Sequence, residues 1–298
     1  MERVGIVTDS TADLSIEQAQ KYGIKVVPLS VHFGSATYAD GIDLSVSEFY
    51  KRLMTKDETP RTSQPNPQVF KEAYKDLLRT KDTILSIHIS SKLSGTLNSA
   101  HTASTLGDGD VITVDTRTAS QGVGRSVLIA AEAIRQGWSV AETMDILYQS
   151  INQTFSVFSV DTLEYLQRNG RIGKAASYLG SVLRIKPILY ANPEGLVAPY
   201  GKVRGRSKVI PKLIESVQRK ITPGTAVNLS VVHSGAMDAA NALLVSLQSM
   251  YKVVEQHVGM VGPGIGAHIG PGALGVMIQP SFENLANSLD QQKLANDS

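Results

Sequence analysis

Apolar positions in the first half of the chain follow two alternating periods. Short β-branched runs at residues 4–8, 25–31, 83–89, 111–114 and 155–160 end on small polar residues and predict strands. Between them, residues 15–22, 45–54, 67–79, 96–106, 118–136 and 140–151 repeat their apolar positions at helical spacing. Gly137 stands where the long Ala-rich helix should stop. The run Ile84-Leu-Ser-Ile-His-Ile has too few polar positions to keep one face in water. This β–α rhythm predicts a mainly parallel sheet with helices on both faces.

Past residue 156 the rhythm changes. A helical stretch at 159–168 leads into the turn Asn169-Gly-Arg-Ile-Gly, and another helix is expected at 175–183. Two short runs, 186–191 and 196–200, flank Pro193-Glu-Gly and read as a hairpin. Helices at 208–220 and 236–250 then alternate with strands at 227–232 and 251–258. Residues 262–275 read as a glycine-rich loop, 276–279 as a last strand, and 287–298 as a frayed polar tail. A length of 298 residues suits two domains at roughly 150 residues each. The expected division is 1–155, an N-terminal α/β domain, and 156–298, a C-terminal α+β domain.

Composition narrows the function. With 42% hydrophobic and 19% charged residues the chain can bury a core, and it is not charged enough for disorder. A net charge of +2 gives no general nucleic-acid surface. The absence of cysteine removes disulfides, thiolate metal sites and cysteine nucleophiles. The N-terminus enters a strand at once, without the charged and apolar regions of a secretory signal, and no apolar run is long enough to span a bilayer. A cytoplasmic protein is expected.

Four small-polar clusters fall at predicted strand ends, where open α/β sheets place their ligands. They are Thr8-Asp-Ser-Thr-Ala-Asp, Arg61-Thr-Ser-Gln-Pro-Asn-Pro, Ser90-Ser-Lys-Leu-Ser-Gly-Thr and Asp115-Thr-Arg-Thr-Ala-Ser. The third resembles an anion cradle, with hydroxyls and free N–H groups at a helix start and a glycine for close approach. Capping and turn chemistry alone can also produce such clusters. Nucleotide motifs fail: Ser90–Thr96 lacks the Walker A order, and Gly262-Pro-Gly-Ile-Gly-Ala is followed by Gly/Pro turns rather than the rest of a dinucleotide unit. No nucleophile elbow or paired-histidine metal motif occurs. Asp9, Asp13, Asp40 and Asp43 are the remaining carboxylates for a divalent ion, but turns and caps explain them as well. Arg171, Arg204 and Arg206 lie in expected exposed turns, where cations suit an acidic partner or its nucleotide.

In order along the chain, these segments resemble the DegV family, which includes the fatty-acid-binding subunits of bacterial fatty acid kinase. The matching pieces are Val7-Thr-Asp-Ser-Thr-Ala-Asp-Leu, Tyr38-Ala-Asp-Gly, Thr62-Ser-Gln-Pro and Ser90-Ser-Lys-Leu-Ser-Gly-Thr. They continue with Leu163-Glu-Tyr-Leu-Gln-Arg-Asn-Gly-Arg-Ile, Lys186-Pro-Ile-Leu, Arg204-Gly-Arg and Gly266-Ala-His-Ile-Gly-Pro-Gly-Ala. Lys92 departs from the small residue usual in its motif. The resemblance implies two α/β domains enclosing one long-chain fatty acid. Thr62 and Ser94 would hydrogen-bond its carboxylate, Gly95 would allow close backbone approach, and His268 would lie beside the same group. Residues 127–133, 175–183 and 185–189 offer apolar material for the acyl tunnel. The resemblance further implies a subunit with no catalytic residues, cofactor or metal of its own. It would present lipid to a separate ATP-dependent fatty acid kinase subunit, and transient membrane contact stays open. The alternatives are an autonomous phosphotransferase and a lipid sensor or transporter without a kinase partner.

Overall fold

The computed structural model describes residues 3–55, 59–107, 109–180 and 185–296. Its first layer is a parallel sheet, ordered β2-β1-β6-β7, of β1 (Val4–Asp9), β2 (Lys25–Val27), β6 (Thr83–His88) and β7 (Asp110–Asp115). β1 and β6 are buried along their whole length, as expected for central strands covered on both faces. The covering helices are α1 (Ile16–Tyr22), α3 (Pro67–Leu78), α4 (Thr96–Thr105), α5 (Gln121–Arg135) and α6 (Val140–Gln153). Ser15 and Ser139 start α1 and α6 with capping boxes completed by Gln18 and Glu142.

The run at 25–31 is not one strand. Pro28 has no N–H to continue the ladder, so β2 ends at Val27. The chain re-enters as β3 (Ser30–Phe33) of a small antiparallel sheet with β4 (Ala36–Ala39) and β5 (Arg61–Ser63), ordered β4-β3-β5. β4 and β5 escape the sequence pattern because each is so short. Helix α2 (Val46–Thr55) packs Phe49, Tyr50 and Leu53 under this sheet.

A six-stranded sheet follows, comprising β8 (Phe155–Ser159), β9 (Ile185–Ala191), β10 (Val197–Arg204), β11 (Ala226–His233), β12 (Lys252–Met260) and β13 (Leu274–Pro280). Its order is β10-β9-β8-β13-β11-β12, and only β11–β12 is parallel. The expected hairpin is β9–β10. Helices α8 (Val209–Gln218) and α9 (Met237–Gln248) cover the sheet and share its core. The helix expected at 159–168 shrinks to α7 (Glu164–Arg168). That expected at 175–183 is a 3₁₀ turn, Gly173–Tyr178, and residues 181–183 lie outside the described segments.

Two segments differ more deeply from expectation. The glycine-rich stretch forms helix α10 (Pro263–Ile269), and the polar tail belongs to helix α11 (Phe282–Asn296). α11 lays Phe282, Leu285 and Leu289 against Ile129, Ala133 and Ile146 of α5 and α6. The apolar stripe begins five residues before the segment read as tail, which hid its period.

The two main sheets are also tied by a buried cation. Arg125 of α5, only 2% exposed, reaches into the second sheet. Its Nε donates to Ser230 Oγ at 2.8 Å, Nη1 to Glu255 Oε2 at 2.9 Å and Nη2 to the Leu229 carbonyl at 3.3 Å. Among the described residues no helix is long and apolar enough to cross a membrane.

Candidate functional site

In the parallel sheet the strand order reverses beside β1, so a crevice opens past the carboxyl ends of β1 and β6. Here the chain builds an apolar cavity. Ile89 and Leu93 line one side, and Phe158, Val197, Val232 and Met277 of the second sheet line the other. The polar groups that face it are few: Thr62, Gln64, Ser94, Arg171 and His268, with Thr11, Thr118, Ser120 and Ser156 elsewhere on the wall.

Thr62 sits mid-strand in β5, paired with Val31, and its Oγ1 lies 2.8 Å from Nε2 of His268 on α10. His268 Nδ1 is buried without a hydrogen-bond partner. Burial, with the nearby Arg171 cation adding to it, pushes the imidazole pKa down to about 4, so the ring is neutral near pH 7. Arg171 is partly buried, its Nε donating to the Leu93 carbonyl at 3.1 Å and Nη1 to the Asn169 carbonyl at 2.7 Å. Ser94 Oγ accepts from the Thr96 N–H and lies 2.8 Å from Thr96 Oγ1, so it braces the start of α4 while facing the cavity. The arrangement offers two hydroxyls, a neutral imidazole and one fixed guanidinium at the rim of an apolar chamber. Such a set suits an anionic head on an apolar body.

Helix α10 holds its place although its glycines oppose helix formation. Asp13 Oδ1 accepts the Gly262 N–H at 3.0 Å, and Asp40 Oδ2 accepts the Gly264 N–H at 3.1 Å. These are N–H groups that a helix start leaves unpaired. Tyr50 donates to the Val261 carbonyl at 3.0 Å, and Asn169 Nδ2 to the Ala267 carbonyl at 2.9 Å. Ser120 also donates to Asp13, and Ser10 donates to Asp40 at 2.8 Å. Desolvation raises Asp13 to about 7 and Asp40 to about 6. Behind α10 an open cleft contains Asp13, Asp40 and His257.

Residues 3–281 match the model of the DegV family, described as uncharacterised proteins. The chain belongs to the DegV family. A DegV domain-containing protein of Deinococcus radiodurans is 39% identical over 280 residues, covering 93% of this chain and 98% of that one. The structure of a DegV family protein from Thermus thermophilus, described for its fatty acid binding, superposes with a TM-score of 0.89 at 37% identity. That match covers 94% of this chain and all of its counterpart. DegV of Bacillus subtilis, described as a fatty acid binding protein, superposes with a TM-score of 0.87 at 32% identity, covering 94% of this chain and all of that one.

The DegV motifs thus bring Thr62, Ser94 and His268 to one cavity. Gly95 does so differently from expectation: a Cβ there would fall 2.6 Å from Gln64 Nε2, so the close approach is by the Gln64 side chain. Gln64 itself stands in the Thr62-Ser-Gln-Pro motif, which was the signal available for it. Arg171, expected on an exposed turn, belongs to the cavity wall because two backbone carbonyls hold its guanidinium inward. Arg204 is exposed, and Arg206 pairs with Asp161 at 3.0 Å beside Lys186. Lys92 is exposed and does not line the cavity. Residues 127–131 and 133 belong to the cores around α5 instead of the cavity wall. Among the described residues no three His, Cys, Asp or Glu side chains gather to hold a metal ion. Asp13 and Asp40 grip backbone instead.

Proposed function

We propose that this chain binds one long-chain fatty acid in the cavity, in the cytoplasm, and presents the carboxylate to a separate ATP-dependent kinase subunit. The observation that carries the reading is an apolar chamber whose rim collects Thr62, His268, Ser94 and Arg171. With His268 Nε2–H donating to Thr62 Oγ1, the threonine hydroxyl is free to donate to a ligand carboxylate. Ser94 adds a second hydroxyl, and Arg171 supplies positive charge. A tail of ~15 methylenes at ~0.8 kcal/mol each has a transfer ceiling near ~12 kcal/mol, ample after immobilisation and desolvation. Residues 1–155 and 156–298 act in this reading as two domains closing on the lipid. The chain binds and orients. Phosphoryl transfer, with the carboxylate oxygen attacking the γ-phosphorus and ADP leaving, belongs to the partner.

Thr62→Ala combined with Ser94→Ala removes two hydrogen bonds to a charged acceptor, each worth roughly 1.5–3 kcal/mol. Titration of delipidated protein with a long-chain acid should show at least about thirtyfold weaker binding with the fold retained. Equal affinity would make both residues helix and strand furniture only and remove the carboxylate from this rim.

Arg204 carries the docking half of the reading, because Arg206 is already engaged by Asp161. Arg204→Glu should leave bound lipid in place and lower kinase-supported turnover about tenfold at low salt, less at high salt. Turnover unchanged at limiting kinase would move the docking face elsewhere.

A further inference from the structure

A second cleft lies against the cavity wall, lined by Thr116, Arg117, Asn152, Tyr190, Lys220 and Thr222 among others. Three residues, Thr118, Ser156 and Ala191, face both spaces. Thr118 and Ser156 are buried, and their hydroxyl oxygens lie 2.9 Å apart. The pair rests on bare backbone of α5, where a Cβ on Gly122 would fall 2.6 Å from Thr118 Oγ1 and 2.9 Å from Ser156 Oγ. The Thr118 carbonyl is itself held by the Ser90 N–H at 2.9 Å. Two hydroxyl side chains and one methyl therefore separate the apolar chamber from a cleft of mixed lining.

The register of the second sheet gives this wall its place along the chamber. β8 and β13 run antiparallel, with Ser159 opposite Leu274 near α10 and Ser156 opposite Met277. Three residues of strand, about 10 Å at ~3.3 Å each, carry the lining from the α10 end to Ser156. A ligand whose head lies at Thr62 and His268 and whose tail follows these strands runs toward the Thr118–Ser156 pair. Beyond the pair, charged groups join apolar ones such as Ile151 and Ile221, with the Arg117 guanidinium donating to Asn152 Oδ1 at 2.8 Å and Lys220 nearby.

We propose that Thr118 and Ser156, with Ala191 beside them, form the partition that sets the longest acyl chain this protein accepts. The inference rests on the fatty-acid reading and adds its specificity determinant. Each methylene buried in the chamber strengthens binding about fourfold. A methylene that meets the partition gains nothing and must bend or displace the bridge. Affinity along a homologous series of saturated acids therefore rises and then turns over at a defined length.

The test measures that series on delipidated wild type, on Thr118→Ala with Ser156→Gly, and on Ser156→Val. Thr118→Val serves as the control that removes the hydrogen bond at nearly constant volume. The trimmed double variant should move the turnover two or more carbons longer, with the extra methylenes still gaining about fourfold each. Ser156→Val should move it shorter, and Thr118→Val should leave it in place. A turnover unmoved in both the trimmed and the filled variants, each melting cooperatively and binding acid, overturns the partition alone. A wild-type chain that binds no acid of any length overturns the lipid reading and the partition with it.

Discussion

Replacing Asp13 and Asp40 by asparagine is expected to flatten a fall in stability that wild-type protein shows as pH rises from about 4 to about 7. Both carboxyls titrate far above their ordinary value in the folded state, at about 7 and about 6, because their environment is poor in water. Between those values and 3.8 the native state holds protons that the unfolded chain has released, so stability declines as pH rises and levels off above about 7. For Asp13 the decline is on the order of 3 kcal/mol after allowance for water in the adjoining cleft. His268 works in the opposite direction. Its pKa is lowered, so its contribution grows as pH rises through the range between about 4 and 6.5. The difference between wild type and the double asparagine variant isolates the carboxyls. Urea unfolding at a series of pH values checks it, and parallel curves for the two proteins would show that neither carboxyl is protonated in the fold. Asparagine keeps an oxygen for the Gly262 and Gly264 N–H groups, so α10 should survive.

Arg125→Ala should destabilise the protein by about 2–4 kcal/mol. It deletes one of the largest fully buried side chains and three donated hydrogen bonds, and it leaves a hole between α5 and the second sheet. Arg125→Met should recover most of that loss. It refills the volume and no longer requires a guanidinium to leave water, a cost that also pulls the pKa of Arg125 down. Chemical denaturation with both variants separates the two contributions. Alanine and methionine losing stability equally would assign the effect to the hydrogen bonds, and a loss under about 0.5 kcal/mol for alanine would mean the pin is replaceable.

Much of the parallel sheet was legible because β1, β6 and β7 follow period and turn chemistry without tertiary interference. The hairpin β9–β10 was equally plain from its Pro-Glu-Gly turn. Thr62, Ser94 and His268 were found through collinear motifs, since nothing in their local sequence says that they meet. Where local propensity and tertiary contact disagree, the reading failed. Five glycines in 262–272 argue for loop, and the distant Asp13 and Asp40 show why residues 263–269 are helical. These two aspartates read from sequence as caps or metal ligands. Their partners are backbone groups more than 200 residues away, beyond any local pattern. Arg171 was misplaced for a different reason. A long side chain at a turn can point either way, and the Leu93 and Asn169 carbonyls decide it.

The strand order of the second sheet also bears on how the protein is made. β13 lies between β8 and β11, yet its residues follow β8 by more than a hundred positions. A ribosome emitting this chain releases β8, β9 and β10 first, then β11 and β12, as two ribbons with no common edge. Only when residue 280 has emerged does β13, fourth of the six strands in spatial order, join them into one floor. The chamber therefore has no Met277 wall during synthesis, and the exposed edges of β8 and β11 must wait unpaired. In the proposed reading, lipid capture would follow synthesis, and the nascent chain would not have the ligand as a folding template. Its most aggregation-prone interval should be the time needed to translate from β11 to β13.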